Sequence, residues 1–213
     1  SPPPRGMRCM PEMARPPGDA ETRARHLRNI DGDIAELDGF VKATLDYAIL
    51  ERAEVVLNIA AHDFALMLPA VAESIRRDAP YGVSIKCAVA ADARRVRCDA
   101  HLMETVVRNL LYNALKFARS TIRVCFRIGP DGKYELRVED DGPGIAEVDR
   151  ERVFDSFVQS YDPSRPRTGY GLGLAIVKRI VEWHGGTVSV SRSELGGAAF
   201  LVTWAAATAS PSS

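Results

Sequence analysis

The sequence predicts an α+β fold in which helices cover one face of a single sheet. Segments with helical spacing of apolar residues are mixed with strand-like segments, but not in a regular βαβ order. Two pairs of strand-like segments are joined directly, one across residues 130–133 and one across Gly196-Gly197, which is the pattern of β-hairpins. Hairpins mixed with long helices favour a two-layer α+β arrangement over a parallel α/β sheet.

The first predicted element is a long helix at residues 21–52, where Ile30, Ile34 and Leu37 belong to an apolar stripe that recurs every three or four residues. The stripe is close to a heptad, which indicates a partner in a helical hairpin or bundle. The proline-rich residues 1–20 are expected to be irregular. Because the chain has no initiator Met, we expect a fragment that begins inside a longer protein.

The remaining predicted elements are bounded by recognisable cap residues. Asp63 and Asp99 are placed as N-caps of two helices, and Gly185 closes a third. In chain order these elements are strand 55–60, helix 63–79, strand 82–89, helix 99–118, strands 121–128 and 134–140, a loop with a short helix at 142–168, helix 172–185, and strands 187–193 and 198–204. The tail at 206–213 is expected to be disordered.

Composition excludes several classes of protein. Lys plus Arg and Asp plus Glu number 28 each, so the formal net charge of zero argues against a general nucleic-acid binder, and we expect no nucleic-acid partner. No apolar run approaches the roughly 18 residues that cross a membrane. The four cysteines are scattered without a C-x-x-C pair, which favours reduced thiols in a cytoplasmic setting over a disulfide framework or zinc site.

A polar face is predicted on the helix at 99–118. Asn109, Asn113, Lys116 and Phe117 are spaced by four, three and one residues, which places the two amides and the ammonium on one side. Such a face could hold a metal ion and phosphate oxygens. Taken alone, it fits the solvated side of an amphipathic helix better than a binding site.

A glycine-rich acidic turn follows the strand at 134–140. In "VEDDGPGIA", Asp140 ends the strand, and Gly142 and Gly144 allow a flat ligand to approach the backbone. A carboxylate here can accept a hydrogen bond from an exocyclic amine. An ordinary acidic β-turn explains the same residues equally well.

A cationic loop and a second glycine-rich run complete the pattern. Phe154 and Phe157 are spaced as on one helical turn, and Arg165 and Arg167 could fold over phosphates. The run Gly169-x-Gly171-x-Gly173 then opens a helix, whose N-terminus favours an anion. No Gly-Lys-Ser/Thr follows, so it is not a Walker A loop, and without a βαβ unit it is not a Rossmann fingerprint.

These motifs, in this order, resemble the ATP-binding domain of sensor histidine kinases. Within that family, the strings "VEDDGPGIA", "DPSR" and "SELGGA" resemble those of the RstB-type kinases. The N, G1, F and G2 boxes of that family correspond to "NLLYNALKFA", "VEDDGPGIA", "RVFDSFV" and "GYGLGLAIVKRIVEWHGG". The resemblance covers residues 55–205 and implies the Bergerat (GHKL) two-layer α/β sandwich shared with type II topoisomerases, Hsp90 chaperones and MutL proteins. It further implies that residues 21–53 are the second helix of a dimerisation and phosphoacceptor hairpin.

The resemblance also implies roles for individual residues around ATP and Mg²⁺. Asp140 would accept a hydrogen bond from the adenine amino group, Asn113 would ligate Mg²⁺, and Lys116 would contact phosphate. Asn109 stands where hydrolysing relatives carry a catalytic Glu. The implied nucleotide-binding set is Asn109, Asn113, Lys116, Phe117, Asp140, Gly142, Gly144, Ile145, Arg165, Arg167, Thr168, Gly169, Tyr170, Gly171, Leu172, Gly173 and Leu174, of which Asn109, Asn113 and Lys116 form the catalytic set.

The phosphoacceptor histidine of the family is not found in this chain. Its usual string of His, acid, Leu, Arg, Thr and Pro does not occur around any of the four histidines, and His26 lies at the start of the second hairpin helix instead. We therefore expect the acceptor to lie upstream of the sequence given. The resemblance implies a homodimer through the hairpin, a response regulator receiver domain as partner, and a parent protein anchored at the inner membrane.

Two alternatives to a histidine kinase core remain open at this point. An ATP-gated conformational ATPase of the gyrase, Hsp90 or MutL class would carry a Glu at position 109 and a long transducer domain, and the sequence has neither. A nucleotide-binding pseudokinase scaffold would be expected to lose some of the four boxes. ATP binding distinguishes the last alternative from the others.

Overall fold

The architecture has two layers, with a five-stranded sheet packed against helices. The computed structural model describes residue 44 and residues 55–77, 79, 82–91, 94–158 and 170–205. The segments predicted for 1–20, 21–53 and 206–213 lie outside these residues, apart from Thr44, which is helical. The predicted α+β fold is confirmed.

The sheet consists of five strands, β2 at Ser84–Val89, β4 at Thr121–Ile128, β5 at Lys133–Asp140, β6 at Thr187–Arg192 and β7 at Ala198–Ala205. Their order in the sheet is β2-β4-β5-β7-β6, with β5 in the centre. Only β2 and β4 are parallel, and the other neighbours in the sheet are antiparallel. Both predicted hairpins, β4–β5 and β6–β7, are therefore confirmed.

The three predicted cap residues are confirmed, but the helix predicted at 63–79 ends earlier, at Arg76. Helix α1, Phe64–Arg76, starts after Asp63, whose carboxylate accepts the Ala65 N–H at 2.8 Å. Helix α2, Ala100–Phe117, starts after Asp99 in the same way, with Leu102 as the donor at 3.2 Å. Helix α3, Gly173–Trp183, ends before Gly185, which has a φ of +66°.

An aromatic cluster fills the core at the end of β5 that lies opposite Asp140. The ring centroids of Phe64 and Phe126 are 4.6 Å apart, and those of Tyr134 and Trp204 are 5.4 Å apart. These rings join α1 to β4, β5 and β7 through large buried apolar surfaces. The sheet is therefore packed tightly at one end, which leaves the other end to carry polar groups.

The bounds predicted for the first strand, 55–60, are wrong. Residues 55–59 have no regular structure, and the strand β1 comprises only Ala60–His62. It pairs with β3, Val96–Cys98, which the sequence analysis missed because three residues are too few to show alternation. The two form a second, two-stranded sheet, so the expectation of a single sheet was too simple.

The short helix predicted within 142–168 consists of two single turns of 3-10 helix, Glu147–Asp149 and Arg152–Phe154. Phe154 is buried and packs edge-on against the ring of Phe200, with the two ring centroids 6.2 Å apart. Phe157 lies beyond the second turn, with a φ of +64° and 57% exposure. The prediction that the two phenylalanines share a helical turn is therefore wrong.

Candidate functional site

A buried carboxylate lies at the end of the central strand. Asp140 is only 2% exposed, and its Oδ1 accepts hydrogen bonds from the N–H groups of Gly142 at 2.8 Å and Ala198 at 3.2 Å. Among the described residues no hydrogen bond goes to its second oxygen, Oδ2. Burial raises the pKa of Asp140, although the two backbone donors act in the opposite direction. This oxygen is available to a ligand that donates a hydrogen bond.

Gly197, which the sequence places in a predicted hairpin turn, forms one wall beside this carboxylate. A Cβ atom on Gly197 would overlap Oδ1 of Asp140 and would lie 2.5 Å from the amide nitrogen of Gly142. The N–H of Gly197 also donates to the Asp140 carbonyl at 3.2 Å. Only a glycine fits here, but a Gly-Gly pair in the sequence predicts no more than a turn, so Gly197 could not be assigned to the site from the sequence.

The glycines of the acidic turn bring the end of α2 next to Asp140. A Cβ on Gly142 would lie 2.6 Å from the Phe117 carbonyl oxygen and 2.8 Å from Asp140 Oδ1. Gly144 has a φ of +78°, and a Cβ there would lie 3.1 Å from the Gly197 carbonyl oxygen. Ile145 follows, half-buried against the hydrophobic core. Backbone of three different elements therefore converges around one carboxylate.

Asp141, the next residue, points to a different part of the structure. Its carboxylate accepts hydrogen bonds from the N–H groups of Arg119, Ser120 and Thr121, at 2.7 to 3.1 Å. The Ser120 hydroxyl donates a further bond at 2.6 Å. Burial is the largest single influence and raises the pKa of Asp141, but the hydrogen bonds from Ser120, Arg119 and Thr121 together outweigh it and lower the pKa to about 2. With its oxygens satisfied in this way, Asp141 is a poorer candidate than Asp140 for a ligand contact.

The predicted polar face of α2 includes two asparagines in different surroundings. Asn109 donates from Nδ2 to the Thr105 carbonyl at 2.8 Å, and its Oδ1 lies 2.8 Å from the position of a Cβ on Gly173. It therefore faces the N-terminus of α3. Asn113 is half-buried and makes no hydrogen bond to the described residues, so its amide oxygen is free for a ligand.

The cationic end of α2 lies beside the same turn. The ammonium of Lys116 is 5.2 Å from the centroid of the Phe117 ring, a cation–π contact. The side chain is exposed, but partial burial still lowers the pKa of Lys116. Since the Phe117 carbonyl contacts Gly142, the structure brings Lys116 and Phe117 to the same end of the sheet as Asp140.

The glycine-rich run lies partly outside the described residues. Arg165, Arg167, Thr168 and Gly169 belong to the segment that is not described. Gly171 has a φ of +71° and accepts the N–H of Phe157 at 2.9 Å. A Cβ on Gly171 would lie 2.7 Å from the Val158 carbonyl, so this glycine is required by close approach. Leu172 is buried, and Tyr170 and Leu174 are half-buried against the core, so the start of α3 is firmly held.

A second buried acidic residue, Glu139, was not among the predicted site residues. Glu139 is 3% exposed and lies on the open face of the sheet. It accepts a hydrogen bond from Ser193 at 3.3 Å and forms ion pairs with Arg123 at 3.5 Å and Arg137 at 3.3 Å. Ser193 begins the β6–β7 turn, which also contains Gly197. The hydrogen bond between Ser193 and Glu139 therefore connects this turn to the end of β5.

The residues around Asp140 fit an adenine nucleotide. A buried carboxylate with one available oxygen suits the exocyclic amine of adenine, and the space where a Cβ would lie on Gly142 is kept open by glycine. The described residues contain no cluster of three or more His, Cys, Asp or Glu side chains that could hold a metal. A single amide oxygen, that of Asn113, fits Mg²⁺, which usually keeps waters and binds substrate phosphates.

No helix among the described residues is long and apolar enough to cross a membrane.

Comparisons with known proteins agree with this geometry. Residues 98–208 match the family described as "Histidine kinase-, DNA gyrase B-, and HSP90-like ATPase". The sensor protein RstB of Escherichia coli K12 is 38% identical over 177 residues, which are 82% of this chain and 40% of RstB. The sensor histidine kinase CpxA of the same strain is 40% identical over 108 residues, which are 50% of this chain and 23% of CpxA. The chain thus spans less than half the length of these curated relatives.

Solved structures show the same similarity in three dimensions. Full-length ShkA, crystallised in complex with AMPPNP, matches with a TM-score of 0.73 and 32% identity over 89% of this chain and 39% of ShkA. The mycobacterial sensor histidine kinase MprB matches with a TM-score of 0.59 and 29% identity over 70% of this chain and 97% of the MprB chain. The chain belongs to the family of histidine kinase-, DNA gyrase B- and HSP90-like ATPases, and it carries the ATP-binding domain of the sensor histidine kinase type.

Proposed function

We propose that this chain is the catalytic core of a two-component sensor histidine kinase, which transfers the γ-phosphoryl group of Mg-ATP to a histidine on a dimerisation hairpin. The single observation that carries the proposal is the Asp140 carboxylate, buried at the convergence of Gly142 and Gly197 with one oxygen left available. The similarity to RstB, CpxA and ShkA supports the same function.

In this proposal Asp140 accepts the hydrogen bond of the adenine amino group and thereby orients the base. Gly142, Gly144 and Ile145 form the wall against which the base lies, and Phe117 packs beside it. When bound, Mg-ATP supplies the phosphoryl group and a cation that neutralises its developing charge. Asn113 is the proposed ligand of the cation.

The phosphate end of the site is proposed to lie between α2 and α3. Lys116 contributes a positive charge, and Asn109 faces the first turn of α3. The first N–H groups of α3, after Gly171 and Gly173, attract anions through their unsatisfied donors. Tyr170, Leu172 and Leu174 hold this helix start against the core, and Arg165, Arg167, Thr168 and Gly169 complete the proposed set.

The environment of Asn109 favours phosphoryl transfer to a side chain over hydrolysis. Hydrolysing relatives require a general base to activate water, whereas an amide that donates to the Thr105 carbonyl cannot take up a proton. Transfer to an imidazole requires mainly positioning and charge neutralisation. An ATP-gated ATPase is accordingly the less favoured function for this site.

The partners of the parent protein follow from the same proposal. We propose a homodimer through a helical hairpin to which residues 21–53 contribute the second helix, and a response regulator whose receiver Asp takes the phosphoryl group from the histidine. We also propose that residues 55–205 act as the ATP-binding unit at the cytoplasmic face of the inner membrane, where the parent is anchored.

Titration calorimetry with a non-hydrolysable ATP analogue and Mg²⁺ tests binding. Incubation with radiolabelled ATP tests transfer, first on the chain as given and then with a first hairpin helix that carries its histidine added. We expect binding in both cases, and an acid-labile, base-stable label only when the helix is added. An acid-labile label on the chain as given that disappears in His26→Ala would contradict the proposed acceptor, and absence of binding would contradict the whole proposal.

A further inference from the structure

Three consecutive acids lie at the end of the central strand, Glu139 and Asp140 as its last two residues and Asp141 directly after it, and the nucleotide proposal uses only Asp140. Asp141 has the largest number of hydrogen bonds among the three. Its Oδ1 accepts from the N–H groups of Arg119 and Ser120, and its Oδ2 accepts from the N–H and hydroxyl of Ser120 and from the Thr121 N–H. Asp141 therefore accepts hydrogen bonds from three successive backbone amides, those of residues 119–121.

The amides that Asp141 binds belong to the connection between α2 and β4. Phe117 is the last residue of α2, and residues 118–120 lead directly into β4 at Thr121. The same connection contacts the acidic turn again where the Phe117 carbonyl approaches Gly142. Asp141 therefore joins the C-terminal end of α2, with Lys116 and Phe117, to the backbone that carries Asp140.

We infer that Asp141 is a positioning residue, which sets the distance between the adenine-binding carboxylate of Asp140 and the phosphate-binding end of α2. The inference rests on the proposed function and adds to it a residue that does not touch the nucleotide. ATP must contact both ends of the site at once, so a change in their separation weakens binding even when each contact group is intact.

An amide cannot replace this carboxylate. Asn has one acceptor oxygen and one NH₂ donor, and both oxygens of Asp141 face donors. In one orientation of the amide, its NH₂ group faces the N–H of Arg119. In the other orientation, it faces the hydroxyl of Ser120 and the N–H of Thr121, so a donor meets a donor in both cases. Asp141→Asn therefore detaches one side of the α2–β4 connection while leaving Asp140, Lys116 and Phe117 chemically unchanged.

The experiment measures the affinity of a non-hydrolysable ATP analogue with Mg²⁺ by calorimetry, on samples whose folding is verified by denaturant unfolding. The matched control is Asp131→Asn, which makes the same change in an exposed carboxylate that caps the β4–β5 turn through the Lys133 N–H. We expect Asp141→Asn to weaken binding about tenfold and the control to leave it unchanged. Ser120→Ala, which removes one donor at 2.6 Å, serves as the milder variant if Asp141→Asn does not fold, and we expect it to weaken binding about threefold.

A double-mutant cycle separates positioning from a general loss of stability. If Asp141 acts through the position of Lys116, the loss in Asp141→Asn with Lys116→Ala is smaller than the sum of the two single losses. Additive losses, or unchanged affinity in folded Asp141→Asn and Ser120→Ala, would overturn the inference while the proposed function stands. Failure of the unaltered chain to bind the analogue would overturn the proposed function and this inference together.

Discussion

Gly197 lies so close to Asp140 that a single methyl group at Gly197 would overlap the Asp140 carboxylate. The contact joins the β6–β7 turn to the end of β5 across 57 positions of the chain, since 197 minus 140 is 57. It is held by the hydrogen bond from the Gly197 N–H to the Asp140 carbonyl and by the bond of Glu139 with Ser193.

Gly197→Ala is expected to destabilise the domain by about 1–3 kcal/mol, because the added methyl group cannot be accommodated without moving backbone. It should also weaken ATP binding, since the carboxylate has to turn away from the new Cβ. Gly196→Ala is a control for the loss of glycine in the same turn. Gly196 has a φ of +103° but no atom within 4 Å of a new Cβ, so this variant should lose stability through backbone strain and keep its affinity.

Asp140→Asn should greatly weaken ATP binding without lowering stability at neutral pH. The amide oxygen can still accept from Gly142 and Ala198, but the NH₂ group presents a donor where the adenine amine donates. Loss of an acceptor in this buried site should cost at least about tenfold in affinity. Calorimetry measures the affinity, and equal affinity in the variant would move the proposed adenine contact elsewhere.

The pH dependence of stability should also change in Asp140→Asn. Burial raises the folded-state pKa of Asp140 above its unfolded value, so the protonated form is favoured in the folded state. Its contribution to stability is therefore present at low pH and is lost as pH rises from the unfolded pKa, about 3.9, through the folded pKa. In denaturant unfolding from pH 3 to 7, the unfolding free energy of the unaltered chain should fall relative to that of Asp140→Asn as pH rises, and a constant difference would contradict the raised pKa of Asp140.

Asp141 should have the opposite effect on acid stability. Its folded pKa of about 2 lies below the unfolded value of about 3.9, so its stabilisation is present above the unfolded pKa and is lost as pH falls toward 2. In Asp141→Asn this acid-dependent loss should be absent, and the difference in unfolding free energy between the two chains should shrink between about pH 4 and pH 2. If the difference in unfolding free energy stayed constant over this range, the hydrogen bonds of the Asp141 carboxylate would not be the source of the acid-dependent loss.

His184 joins the ends of two helices, and its removal should be costly. Its Nδ1 lies 2.8 Å from the Ile180 carbonyl, and its Nε2 accepts the N–H of Asp99, the N-cap of α2, at 3.1 Å. His184→Ala leaves the Asp99 N–H without this partner and should destabilise the domain by about 1–3 kcal/mol. His101→Ala, on the exposed side of α2, should change stability by less than about 0.5 kcal/mol in the same denaturant measurement.

The features that could be predicted from the sequence are those with local causes. Asp63 and Asp99 cap their helices through residues two or three positions away, and Gly185 ends α3 through its own backbone. The order of the four motifs likewise identified the family. The bounds of β1 and the existence of β3 could not be predicted, because each strand depends on a partner more than 30 residues away.

The supporting residues of the site could not be predicted for the same reason. Gly197 and Asp141 act through contacts with Asp140 and with the α2–β4 connection that only the folded chain brings together. In the sequence they are indistinguishable from ordinary turn residues. The separation of Phe154 from Phe157 was missed because a spacing of three residues indicates a shared face only where the helix continues.

The alternation of Glu139 and Asp140 at the end of β5 also makes the site dependent on strand register. Glu139 points to the open face of the sheet and Asp140 to the opposite face, and hydrogen-bonded pairing with β4 and β7 on both sides fixes this choice. A slip by one residue would exchange the two faces and place an arginine-paired glutamate where the adenine contact is proposed. Insertions in the turn at 130–132 leave both pairings intact, whereas deletion of one residue within β5 would shift the register and put a different carboxylate at the position of Asp140.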